Sequence, residues 1–74
     1  MELYEFVDPN SGNKITLNVN VIAAVQLPDK GRVVNVIFSE SGKITLSCGT
    51  EERAVEEYMK IRAALADAGA KPNP

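Results

Sequence analysis

Histidine and tryptophan are absent from the 74 residues, cysteine occurs once, and the aromatic side chains are limited to 2 Tyr and 2 Phe. Without imidazole there is no Ser-His-Asp triad, no histidine acid–base catalysis and no imidazole metal site. One cysteine cannot close an intrachain disulfide, and a zinc site built from Cys and His lacks its ligands. No run approaches the ~18 apolar residues of a membrane span, and the start, Met1-Glu2-Leu3-Tyr4-Glu5, carries neither the basic nor the apolar region of a secretory signal. Gly42-Lys43 lacks the upstream glycine of a phosphate-binding loop and the Ser or Thr that follows its lysine. These absences leave no catalytic, cofactor-binding or metal residues to assign. They point to a non-enzymatic cytoplasmic protein of bacterial or phage size that does not engage a membrane.

Charge is equally uncommitted. Lys plus Arg number 8 against 10 Asp plus Glu, a net of -2, too little to draw the chain to phosphate backbones or to mark it as an acidic mimic of nucleic acid. A single domain this short buries only about 60–65% of the surface its unfolded chain exposes. With disulfide and Cys/His zinc excluded, self-association is the remaining way to supplement a thin core.

What the chain does have is a run of short β-type segments followed by one helix. Residues 3–7 place Tyr4 and Phe6 on one side and Leu3 and Val7 on the other. Pro9 and Gly12 then turn the chain, and 14–19 alternates, with Ile15, Leu17 and Val19 inward. Two asparagines punctuate the pattern at 18–21 and predict a corner or bulge. A third strand covers 22–27, Pro28-Asp29-Lys30-Gly31 is a turn, and 32–38 is the most β-branched stretch. Ser39-Glu40-Ser41-Gly42 closes a hairpin into 43–48, where Ile44, Leu46 and Cys48 point inward. Connections this short predict antiparallel neighbours. The expected fold is α+β, a curved antiparallel sheet of four or five strands, open or closed as a small barrel, with a C-terminal helix packed on one face. Residues 1–69 form the domain and 70–74 a flexible tail.

Thr50 is the expected N-cap of that helix, with Glu51 and Glu52 favourably placed in its first turn and Gly69 at its end. At about 100° per residue, Ala54, Tyr58, Ile61 and Leu65 make one apolar line and Val55, Met59 and Ala66 a second, with Arg62 between. The two lines are either one broad core face or a core face beside a partner face. Glu51, Glu52, Glu56 and Glu57 are assigned to the solvated side, where Arg53 with Glu57 and Glu56 with Lys60 have the spacing of exposed ion pairs. On the sheet, Val34, Val36 and Phe38 toward the helix leave Val33 and Ile37 on the opposite side, joined by Tyr4 or Phe6 and by Val25 and Leu27 if the register allows. Val33, Ile37, Val55 and Met59 are therefore the candidate protein interface, and a homodimer is the expected assembly.

Two further readings compete. Lys14, Lys30, Arg32 and Lys43 at turns and strand ends, with Thr16, Asn18, Asn35, Thr45 and Ser47 on a polar sheet surface, describe a nucleic-acid-binding face. An inhibitor of a host protein, of the phage type, has the same sequence requirements as any protein-binding module. Cys48, continuing the Ile44 and Leu46 alternation, is expected to be a structural thiol.

Over 12–52 the chain resembles the short FlbD-like proteins of bacterial flagellar gene clusters. The likeness is carried by Ile15-x-Leu17-Asn18, Ile22, Val25, Pro28-Asp29, Val36-x-Phe38, Gly42-Lys43 and Thr50-Glu51-Glu52. The longer helix and the turn at 8–13 depart from those proteins. The resemblance implies a small regulatory or interaction protein and carries over no catalytic residues.

Overall fold

A computed structural model of the chain describes residues 2–69; the expected tail lies outside them. The order is β1 (Leu3–Val7), β2 (Lys14–Asn18), a 3-10 turn (Val19–Val21), β3 (Ile22–Gln26), β4 (Val33–Phe38), β5 (Lys43–Ser47) and helix α1 (Glu51–Gly69). All strand pairs are antiparallel. The α+β class and the C-terminal helix are as the pattern predicts.

The single curved sheet is not. The strands form two sheets, β1-β2 and β3-β4-β5, and no closed barrel. The break falls at 18–21, where the side chain of Asn18 accepts the backbone N–H of Asn20 at 3.0 Å and caps the 3-10 turn. That local bond competes with strand pairing and turns the chain from β2 into β3. The second sheet bends again at a bulge, where Ile22 pairs with Phe38 but Ala24 pairs with Ile37, leaving Ala23 as the extra residue.

Register fixes which side chains meet. In the first sheet Tyr4 lies opposite Leu17 and Phe6 opposite Ile15. In the second, Val25, Val36 and Ile44 form one inward row, while Val34 and Leu46 form another. Phe6 and Leu17 from the first sheet, Ile22, Val34, Val36 and Leu46 from the second, Cys48 just after β5, and Ala54 and Ile61 of α1 make one buried cluster. At about 1.5–3 kcal/mol per large side chain removed from water, no single element can hold the fold without the others. Tyr4, Phe6, Val25 and Leu27 all pack on this core, so none of them joins Val33 and Ile37 on the opposite side.

Gly49, at φ 85, lets the chain leave β5 and enter α1 across three residues, 48–50. Thr50 then caps the helix: its Oγ1 accepts the Arg53 N–H at 3.1 Å and its carbonyl accepts the Ala54 N–H at 3.1 Å. The β3–β4 turn is less conventional. Gly31 N–H donates to the Pro28 carbonyl at 2.9 Å, yet the left-handed residue is Lys30, at φ 56. Gly31 is required for space instead, because a Cβ there would lie 2.9 Å from Pro28 Cβ and 3.0 Å from its carbonyl oxygen. Left-handed backbone costs a residue with a Cβ about 1–2 kcal/mol. Lys30→Gly should therefore leave the protein as stable as the wild type or up to about 1 kcal/mol more so, and Gly31→Ala should destabilise it. Urea midpoints of the two variants check the order; a more stable Gly31→Ala would contradict it.

Candidate functional site

The helix shows two very different sides. Ala54 and Ile61 are fully buried, and Tyr58 and Leu65 pack partly against the core. Between the first two on the helix surface lies Glu57, only 6% exposed. This corrects its assignment to the solvated face and removes it from the exposed pairing with Arg53. Glu57 stands three residues after Ala54 and four before Ile61, so it shares their face. That spacing is the signal in the sequence that could have revealed it.

Burying a carboxylate demands a partner, and β1 supplies one: the Tyr4 hydroxyl donates to Glu57 Oε2. Burial, this hydrogen bond and the Glu57 charge together push the Tyr4 phenol far above its ordinary value. Cys48 lies close by, and burial first, then the Glu57 charge, raise its thiol above the usual range, with Arg53 acting the opposite way. Its Sγ donates to the Leu46 carbonyl at 3.6 Å. A buried thiol held in its neutral form is a poor nucleophile. The part-buried Tyr4–Glu57 bond and the buried Cys48 thiol thus make a polar knot through mutual electrostatic influence, and every buried side-chain nitrogen and oxygen among the described residues has a hydrogen-bond partner. No group of three or more Cys, Asp or Glu among those residues is arranged to hold a metal ion.

The outward side of α1 is the other feature. Val55 is 47% and Met59 53% exposed, and Ala63 and Ala66, on the same side, are also exposed. The second apolar line is therefore not part of a broad core face. Arg62 borders it, with its guanidinium carbon 5.7 Å from the centre of the Tyr58 ring in a cation–π contact. Open depressions lie at both ends of the stripe. One of about 390 Å³ is lined by Leu27, Pro28, Asp29, Lys30, Gly31, Glu51 and Val55, and one of about 230 Å³ by Met59, Arg62, Ala63 and Ala66.

The four candidate interface residues consequently fall on two surfaces. Val33 and Ile37 are half-buried on the outer side of the three-stranded sheet, separated by Asn35, which accepts a hydrogen bond from Thr45 Oγ1 at 2.8 Å. Ser47 and Lys43 lie opposite Val33 and Ile37, so this patch is small and interrupted by polar groups. The four basic candidates do not converge either. Lys14 begins β2 in the other sheet, Lys30 lies in the β3–β4 turn with Arg32 just after it, and Lys43 pairs with Ile37, near the opposite end of β4. Thr16 and Asn18 belong to the first sheet and Asn35, Thr45 and Ser47 to the second, so no continuous polar face collects them.

No family model, curated protein or solved structure matches the chain. No helix among the described residues is long and apolar enough to cross a membrane.

The polar knot makes stability depend on alkaline pH. Tyr4 and Cys48 both ionise at higher pH when folded than when unfolded, from ordinary values of 10.0 and 9.0. The stability tied to their neutral forms is fully present below the unfolded values and is lost as pH rises toward the folded ones. Urea midpoints should fall between about pH 8 and pH 11, and Cys48→Ala should remove the earlier part of the decline. An unchanged midpoint across that window would show that neither group is held neutral by the fold.

Proposed function

We propose that this chain is a small non-enzymatic protein-interaction module, that its working surface is the outward stripe of α1, and that its partners include its own copy. The observation that supports this reading is the exposure of Val55 and Met59 on one side of a helix whose other side is buried to Ala54, Glu57 and Ile61. Exposed apolar side chains scattered singly are ordinary; aligned along a helix and flanked by open depressions they describe a docking surface. The small core argues in the same direction, since association adds burial that one short domain cannot supply alone. The lack of histidine and the burial of the one thiol favour a binding role over catalysis. The resemblance to FlbD-like proteins points to the same class, a small regulatory or interaction protein acting in the cytoplasm.

Light scattering at high micromolar concentration should give twice the 8.0 kDa chain mass. Met59→Glu should return the protein to monomer with an unchanged far-ultraviolet spectrum, because it places a charge in the contact. Ile37→Glu should leave the dimer intact. A monomeric wild type rejects self-association, and a dimer broken by Ile37→Glu but not by Met59→Glu moves the interface to the sheet.

A further inference from the structure

The two sheets are not equally fastened. Strands β3, β4 and β5 pair with one another beneath α1, whereas β1 and β2 pair only with each other among the described residues. No strand ladder joins one sheet to the other. The turn of the hairpin is closed from within: Asp8 N–H donates to the Asn13 carbonyl at 2.8 Å, Gly12 N–H to the Asp8 carbonyl at 2.8 Å, and the Asp8 carboxylate accepts the Asn10 N–H at 2.8 Å.

The boundary of the hairpin falls between Asn18 and Val19. Val19 is buried, the 3-10 turn that it begins packs on α1, and the Val21 carbonyl accepts both the Ser39 N–H at 2.8 Å and the Ser39 hydroxyl at 3.1 Å. The turn is thereby pinned to the body of three strands and helix. Val19 N–H also donates to the Glu2 carbonyl at 3.0 Å, but that bond sits at the boundary itself, where a swinging hairpin moves least.

Beyond the boundary, side chains hold the hairpin down. Phe6 and Leu17 are buried in the common core, and the Tyr4 hydroxyl donates to Glu57. At the far end a Cβ at Gly49 would lie 3.5 Å from Pro9 Cγ. The neighbouring Cys48 is buried, and its N–H donates to the Arg32 carbonyl at 2.9 Å. The backbone of Cys48 thus belongs to the body, while the hairpin closes against the segment that carries it.

We propose that residues 2–18 are a flap that swings off the body as one unit about the pinned 3-10 turn, with the Tyr4–Glu57 bond as its latch and Cys48 uncovered when it opens. A two-stranded hairpin is marginal alone, whereas the body keeps Ile22, Val34, Val36, Leu46, Ala54 and Ile61 packed together without it. Opening therefore exposes only part of the surface that unfolding exposes, the condition for a unit that opens below the global stability. The flap does not depend on any pairing through α1.

Reaction of Cys48 with a chromogenic disulfide reagent at neutral pH, followed across urea concentrations below the unfolding transition of the wild type, tests it. The rate should rise with urea, but less steeply than global unfolding read by far-ultraviolet spectra, because the slope measures the surface exposed. Tyr4→Phe should raise the rate without urea roughly fivefold or more, since it removes the donor to a carboxylate buried in the closed form, and should leave the slope unchanged. Hydrogen exchange should show the β1 and β2 amides opening together, ahead of those of β4, which is paired on both sides. A slope equal to that of global unfolding, with β1 and β4 amides exchanging together, would overturn the proposal by making the domain a single unit. A rate indifferent to urea would also overturn it, reducing the opening to a local fluctuation at Cys48. An unchanged rate in Tyr4→Phe would overturn the latch.

Discussion

The Tyr4 hydroxyl donates to the Glu57 carboxylate against the core, and that bond acts with the burial of Ala54 and Ile61 to hold the helix in one orientation. A helix laid across two sheets can rotate about its axis at little cost if its apolar residues occupy more than one face, and α1 has two apolar lines. A buried carboxylate removes the ambiguity. Glu57 turned toward Tyr4 finds a donor, whereas a rotation that brought the Val55 line inward would place Val55 and Met59 in the core and separate Glu57 from its partner. Burying a charged group is tolerated only with a partner, so the pair selects one rotation. With Glu57, Ala54 and Ile61 inward, the Val55 line is left outward.

The same bond joins parts that are distant in sequence. Tyr4 belongs to the two-stranded sheet and Glu57 to the helix that also packs on the three-stranded one. A two-stranded hairpin alone is marginal in water. Phe6 and Leu17 give β1 and β2 an apolar reason to stay against the helix, and the Tyr4 hydrogen bond gives them a fixed position there. Cys48 completes the arrangement as a small buried side chain just ahead of the helix start. One face of α1 closes the fold, and Val55 and Met59 stay exposed on the other, the face proposed above as the working surface.

Much of this was legible in residue patterns, and the failures have specific physical causes. Alternation at Ile15, Leu17 and Val19 and at Ile44, Leu46 and Cys48 reads directly as an inward face, because a strand with one buried side obeys a period of two. Thr50 reads as a cap because its hydroxyl is the group the first turn needs. Glu57 reads as exposed by residue type and as buried by position, and position decides. Its spacing from Ala54 and Ile61 placed it inward, and only the hydroxyl of Tyr4, more than 50 residues earlier, made that placement affordable. The division into two sheets was hidden for a different reason. Asn18 to Val21 signals a corner, but whether a corner bends one sheet or ends it depends on pairing between strands, which periodicity does not record. In the β3–β4 turn the glycine was visible, but its role was not, since Lys30 takes the left-handed conformation while Gly31 supplies clearance for Pro28. The second apolar line on α1 is also visible; that it faces outward depends on how the helix docks on the two sheets, which helical periodicity does not record.

A double-mutant cycle on Tyr4→Phe and Glu57→Gln, read as unfolding free energy in urea at neutral pH, tests the central claim most directly. If the buried bond sets the helix, Tyr4→Phe alone leaves a buried acceptor without its donor, and the two changes should be coupled by about 0.5–3 kcal/mol. Additive effects within about 0.3–0.5 kcal/mol would mean that Tyr4 and Glu57 act independently, and that the helix orientation has another cause.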